Sequence, residues 1–144
     1  MLKITEPINS LSLTKKEKKK VLIFGATGSI GRELVKQALE QGYAVTAFAR
    51  HPAKVELHHA DLTVAQGDVL DPASVARAMP GHEAVLCSLG AGLKGKVRSE
   101  GTRNIIRAME QAGVRRLICQ STLGVGDSRD NLNGYWKYLM FGLL

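Results

Sequence analysis

The 144-residue sequence predicts a doubly wound α/β domain, a parallel sheet of five strands in the order 3-2-1-4-5 with helices on both faces. Three observations carry that reading. Short apolar runs alternate with longer stretches of helical periodicity. The helical stretches are closed by glycine, at Gly42, Pro80-Gly81 and Gly113. The first apolar run, Val21-Leu22-Ile23-Phe24, passes directly into Gly25-Ala26-Thr27-Gly28-Ser29-Ile30-Gly31, where three glycines stand three apart.

The first strand is a continuous apolar run because burial on both faces of a parallel sheet requires one. Gly25 allows the tight turn that leaves it, Gly28 lets the backbone come close to a phosphate, and Gly31 lets the next helix pack against the strand. Free N–H groups at that helix's N-terminus then face the anion. Glycine triplets also occur in plain strand-to-helix turns, so the reading rests on the elements into which these glycines lead. Ile30, Leu34, Val35, Ala38 and Leu39 recur at helical spacing, and residues 43–49 form a second strand. A βαβ unit of this length is what the dinucleotide fingerprint requires, here in a GxxGxxG variant.

The residue at the end of the second strand lies beside the adenosine ribose and selects the nucleotide. It is Arg50, with no carboxylate between Tyr43 and Lys54. A carboxylate accepts hydrogen bonds from a free 2′-hydroxyl, whereas a guanidinium matches a 2′-phosphate, so NADP(H) is expected rather than NAD. Arg32 is a candidate second phosphate partner; the plainer reading of Arg50 is a solvated strand end.

Residues 62–67 form the third strand, followed by Asp68 and by Asp71-Pro72, an N-cap and first-turn pair that starts a helix running to Pro80-Gly81. Residues 84–89 form the fourth strand, whose exit Gly90-Ala91-Gly92 is again glycine-rich. A helix over 100–112 with Ile105, Ile106 and Met109 inward precedes the fifth strand at 116–121. Right-handed crossovers place the ligand over the carboxyl ends of strands one and four, where the order reverses.

Hydrophobic residues make up 44% of the chain, enough for a buried core. Cys87 and Cys119 fall in strands expected to be buried, where a free thiol acts as a small hydrophobe, and no disulfide is expected. No stretch is long enough to span a bilayer and no apolar secretory core stands at the N-terminus, so a cytoplasmic protein without membrane association is expected. Six lysines against two glutamates in residues 1–20 place +4 of the net +7 in a leader, read as a flexible basic extension ahead of a domain over 21–144. No aromatic residues interleave with these lysines, so nucleic acid is not an expected partner. His51, His58, His59 and Asp61 lack metal-ligand spacing and read as a solvated loop.

Gly25-Ala26-Thr27-Gly28-Ser29-Ile30-Gly31, Ala49-Arg50, Gly67-Asp68-Val69-Leu70-Asp71, Ser99-Glu100-Gly101-Thr102-Arg103-Asn104 and Gln120-Ser121-Thr122-Leu123-Gly124 together resemble the NAD(P)H-binding atypical short-chain dehydrogenase/reductases. Within that family the chain is most similar to the biliverdin reductase B or flavin reductase type, with NmrA-like proteins nearby. The resemblance implies hydride transfer from NADPH to a small flavin-like, biliverdin-like or other conjugated acceptor. It places Gly25, Thr27, Gly28, Ser29 and Ile30 around the pyrophosphate, Arg50 at the 2′-phosphate, Asp68 and Val69 beside the adenine, and Ser88, Leu89 and Gly90 along the nicotinamide ribose. Ser121 matches the family's active-site serine or threonine; its plainer reading is a serine that satisfies a strand-end backbone group.

Two departures qualify the resemblance. The wider superfamily places a lysine four residues after a catalytic tyrosine, but Tyr135 is followed by Leu139, and Lys137 lies on another helix face. The family also continues past a segment like Trp136-Lys137-Tyr138 into further strands and a substrate-binding portion. An incomplete acceptor pocket is therefore expected, with Leu139, Met140, Phe141, Leu143 and Leu144 offering an apolar face to a protein partner or a second copy. The alternative function is a non-catalytic, NmrA-like sensor that binds NADP(H) and a protein partner.

Overall fold

The computed structural model describes residues 17–90 and 96–121. The elements are β1 Lys20–Phe24, α1 Ser29–Glu40, β2 Ala44–Ala49, β3 Leu62–Gln66, α2 Pro72–Ala78, β4 Ala84–Cys87, α3 Lys96–Ala112 and β5 Arg116–Cys119, with a short 3-10 turn at Pro52–Lys54. All strand pairs are parallel and the order is β3-β2-β1-β4-β5, as predicted. Among the described residues, no helix is long and apolar enough to cross a membrane.

The inner strands β1, β2 and β4 are largely apolar because the sheet covers both their faces, with alternate residues on opposite sides, whereas the edge strands β3 and β5 hold Thr63, Gln66 and Arg116 and contain no buried residue. Leu22 and Phe24 of β1 join Phe48, Val85 and Cys87 in a core closed by Val75 of α2, Met79 at that helix's C-cap, and Ile105, Ala108 and Met109 of α3. Val21 and Ile23 face the other way with Val45 and Ala47, against Val35 and Leu39 of α1. Leu22 is fully buried, so truncating it to alanine is worth about 2–5 kcal/mol. The start of α2 follows the expected chemistry: the Asp71 carboxylate accepts from the N–H groups of Ala73 (3.1 Å) and Ser74 (3.2 Å), ahead of Pro72 in the first turn.

Several boundaries and orientations differ from the sequence expectation. α3 begins at Lys96, four residues before Glu100, because Val97 packs against the core and extends the inward stripe. β4 and β5 end at Cys87 and Cys119, each two residues short. There the ladder closes with the Ser88 N–H on the Phe24 carbonyl (3.0 Å) and the Gln120 N–H on the Cys87 carbonyl (2.8 Å). Ile30 and Ile106 are 48% and 42% exposed rather than inward. The inward stripe of α1 is Gly31, Val35 and Leu39, and that of α3 is Gly101, Ile105, Ala108 and Met109. Each isoleucine therefore stands one residue, about 100°, off its stripe. Cys119 is exposed rather than buried because β5, among the described strands, pairs with β4 alone. The leader through Lys16, Ala91, Gly92, the segment Thr122-Leu123-Gly124, Tyr135, and the apolar residues from Leu139 to Leu144 lie outside the described residues.

Candidate functional site

A cleft of about 290 Å³ opens over the carboxyl ends of β1 to β4, at the reversal of strand order. Its walls include nine residues named from the sequence: Gly25, Thr27, Gly28, Arg50, Asp68, Val69, Ser88, Leu89 and Gly90. Phe48, Ala49, Gly67 and Val97 also line it. Ser29, Ile30 and Gly31 sit in the first turn of α1 and are not part of these walls. Ser121 is exposed two residues beyond β5 and is not in the lining either. Arg32 faces a different depression with Lys54 and stands 4.0 Å from Glu56, so it is not brought together with Arg50.

The turn after β1 is shaped by two close approaches. Gly25 has φ +80°, and a Cβ built there would lie 2.5 Å from the Ser88 carbonyl oxygen. Any other residue would be strained by both. Ser88 is buried, and its hydroxyl donates to the Phe24 carbonyl (3.2 Å), which nests the end of β4 against this turn. Gly31 meets Gly25 so closely that a Cβ would fall 1.9 Å from the Gly25 carbonyl oxygen. Its place in the motif is thus the helix-to-strand contact. Gly28 is the N-cap of α1; no side chain caps that helix and no acidic residue stands in its first turn. The positive end of the helix is left available to an anion in the cleft.

The opposite walls are held by α3. The Asn104 side chain donates from Nδ2 to the Val69 carbonyl (3.0 Å), and Arg98 Nε donates to the Leu89 carbonyl (3.3 Å). Between them, a Cβ on Gly101 would come within 2.9 Å of Val69 and 3.0 Å of Leu89. The Ser99–Asn104 motif therefore positions both sides of the cleft, a role its residues alone did not disclose. On the β3 side, the buried Ser74 hydroxyl accepts from the Asp68 N–H (3.1 Å) and donates to the Asp68 carbonyl (2.7 Å). Phe48 forms part of the floor, its ring 4.8 Å from that of Phe24. Position in the strand was its only signal, since it stands two residues before Arg50.

A larger groove of about 340 Å³ runs along the amino-terminal side, between α1 and β4–β5, lined by Leu34, Ala38, Tyr43, Leu86 and Ile118 among others. Ligands of open parallel sheets bind at the carboxyl ends of strands, so size does not make this groove the site. In the histidine loop, Asp61 donates its N–H to His59 Nδ1 (3.0 Å) while its carboxylate pairs with Lys18 (2.5 Å). Among the described residues, no group of three or more His, Cys, Asp or Glu side chains is placed to hold a metal ion.

Residues 25–144 match a family model described as NAD(P)H-binding. Cinnamoyl-CoA reductase 1 of Oryza sativa subsp. japonica is 40% identical over 121 residues, covering 75% of this chain and 36% of the rice protein. A 3-beta-hydroxysteroid dehydrogenase of Mycolicibacterium neoaurum is 33% identical over 130 residues, covering 80% of this chain and 35% of that protein. Among solved structures, the anaerobillin reductase ChuY of Escherichia coli O157:H7 superposes with a TM-score of 0.71 at 30% identity, covering 87% of this chain and 61% of that one. A Rossmann-fold NAD(P)-binding family protein of Shigella flexneri gives 0.65 at 35% identity, covering 76% and 55%. The chain spans about a third of the length of the rice and Mycolicibacterium relatives.

Proposed function

The chain belongs to the NAD(P)H-binding family, and from that premise we propose that it holds NADP(H) in the carboxyl-end cleft as the cofactor-binding part of a cytoplasmic reductase for a small conjugated acceptor. The observation that carries this reading is the uncapped N-terminus of α1 at the glycine-walled reversal of the sheet, with Arg50 exposed in the same cleft. These residues fit the nucleotide. At Gly28 a Cβ would meet nothing nearer than the Gly25 carbonyl at 3.4 Å, so the open side of that residue is available for a phosphate.

Gly25, Thr27, Gly28, Ser29 and Ile30 surround the pyrophosphate, which takes free N–H groups of the first turn of α1 while the Gly28 N–H stays on the Gly25 carbonyl (3.0 Å) and Gly31 keeps α1 in place. Arg50 takes the 2′-phosphate, Asp68 and Val69 border the adenine, and Ser88, Leu89 and Gly90 border the nicotinamide ribose. When bound, NADPH supplies the hydride. Ser121 orients the nicotinamide amide or the acceptor carbonyl. Because Leu139 stands where a lysine would assist Tyr135, the proton comes from solvent rather than from a tyrosine relay. The reductase and dehydrogenase names of the relatives support nicotinamide-dependent redox chemistry, and the anaerobillin reductase among the structural neighbours supports a biliverdin-like acceptor. The same Leu139 favours the second reading, a non-catalytic NADP(H) sensor that signals to a protein partner.

Calorimetric titration with NADPH and NADH tests the cofactor. NADPH binds more tightly, and Arg50→Ala removes about 1.5–3 kcal/mol of that preference, the range for hydrogen bonds to charged groups; equal affinities in the parent reject NADP(H) selectivity. NADPH consumption with flavin or biliverdin separates reductase from sensor, since a sensor binds without turnover.

A further inference from the structure

We infer that Cys87 and Cys119 are a dithiol modification site, joined reversibly into an intramolecular disulfide by low-molecular-weight disulfides such as glutathione disulfide. The two residues are in-register partners on the adjacent parallel strands β4 and β5. Such partners stand about 4.8 Å apart, within the roughly 4.4–6.8 Å Cα separation that a disulfide spans. In-register side chains also share one face of the sheet. That face is turned to α3, where Cys87 Sγ lies 3.9 Å from the Thr102 hydroxyl. Both thiols are free in this structure.

The pair divides the chemistry unequally. Cys87 is buried, and burial, followed by the neighbouring Cys119 thiol, pushes its thiol above the ordinary range. Cys119 is exposed, so core packing does not account for a thiol there. Cys119 therefore attacks first: its thiolate bonds to one sulfur of the small disulfide, RSSR, and expels RS⁻. The Cys87 sulfur then gives up its proton and attacks Cys119 Sγ, expelling the second RS⁻, which takes the proton. Two protein thiols and RSSR become one protein disulfide and two RSH, with two electrons passing from the protein to the small disulfide. The new bond ties the last rung of the β4–β5 ladder immediately before Ser88, whose residue lines the nucleotide cleft. A separation at the short end of the allowed range and an exposed sulfur make the bond a labile, readily reduced one.

The test is intact mass spectrometry of the full chain, reduced and then exposed to glutathione disulfide, followed by peptide mapping without reductant. The expected product has lost two hydrogen atoms, retains no glutathione, maps to a Cys87–Cys119 linked peptide pair, and returns to the dithiol with dithiothreitol. Cys87→Ala should trap glutathione on Cys119, whereas Cys119→Ser should react at least tenfold more slowly. Mapping of the parent decides the matter even where a variant fails to fold. Stable glutathione on Cys119 in the parent, a disulfide-linked dimer, or ring closure no faster in the folded chain than in urea overturns the inference.

Discussion

Replacing Gly31 with alanine tests how the first helix meets the sheet. The new methyl carbon would fall 1.9 Å from the Gly25 carbonyl oxygen, 2.6 Å from its carbon and 2.9 Å from Ala26 Cα. All three are backbone atoms of a turn fixed by the φ of +80° at Gly25 and by its contact with Ser88, so no side chain can swing aside. Moving from 1.9 Å to the 3.0 Å floor of real contacts requires α1 to withdraw by about 1.1 Å. That withdrawal loosens Val35 and Leu39 from Ile23 and Ala47. Overpacking costs about 1–3 kcal/mol, and a clash on backbone belongs at the upper end. Alanine regains up to about 1 kcal/mol of helix propensity. The net loss is about 2 kcal/mol, a fall in melting midpoint on the order of 7 °C for a domain of this size. Circular dichroism melts without nucleotide measure it, and a midpoint within about 2 °C of the parent would refute the packing role.

Three further outcomes concern nucleotide binding and turnover. Gly28→Val should abolish NADP(H) binding by titration while the far-ultraviolet spectrum stays that of the parent, because the side chain occupies the approach of the phosphate; retained binding would assign the glycines to the turn alone. Asn104→Leu removes the bond to the Val69 carbonyl, leaving that acceptor to water or unpaired, and should cost about 1 kcal/mol of stability in urea unfolding. Its NADP(H) affinity should fall severalfold, and unchanged affinity in the folded variant would detach α3 from the site. Ser121→Ala should lower turnover with little change in nucleotide affinity, while Tyr135→Phe changes turnover much less; the reverse pattern, measured with a turning-over acceptor, would exchange their roles.

The strand order and most of the cleft were legible because they depend on local chemistry. Apolar runs, glycine stops and the Asp71-Pro72 cap each act within a few residues, and parallel crossovers have one hand. What escaped depends on distant chain segments meeting. Phe48 reaches the floor from β2, and Val97, Asn104 and Gly101 reach the cleft only because α3 packs against Val69 and Leu89, in the segments that leave β3 and β4. Ile30 and Ile106 were misplaced for a related reason: a helical stripe is wide enough to admit residues on its margin, and only the neighbouring element decides which side of the margin is covered. Arg32 shared the first helix turn with the phosphate motif, but the loop carrying Lys54 and Glu56 draws it to another depression.

The central position of β1 makes it the join between near and distant parts of the chain. Val21 pairs with Val45, 24 residues away, and also with Ala84, 63 residues away. Closing the longer loop costs about 0.9 kcal/mol more in chain entropy, and it waits for synthesis of the second half. Chain entropy thus favours the near-neighbour pairing of β1 with β2 over its pairing with β4. Ser88, Leu89 and Gly90 follow β4, so the cleft exists only where the sheet is joined across its middle. A ligand that needs both halves binds the joined sheet alone and shifts the equilibrium toward it by mass action. With nucleotide bound as proposed, the cofactor doubles as a folding ligand that holds shut the seam between the two halves.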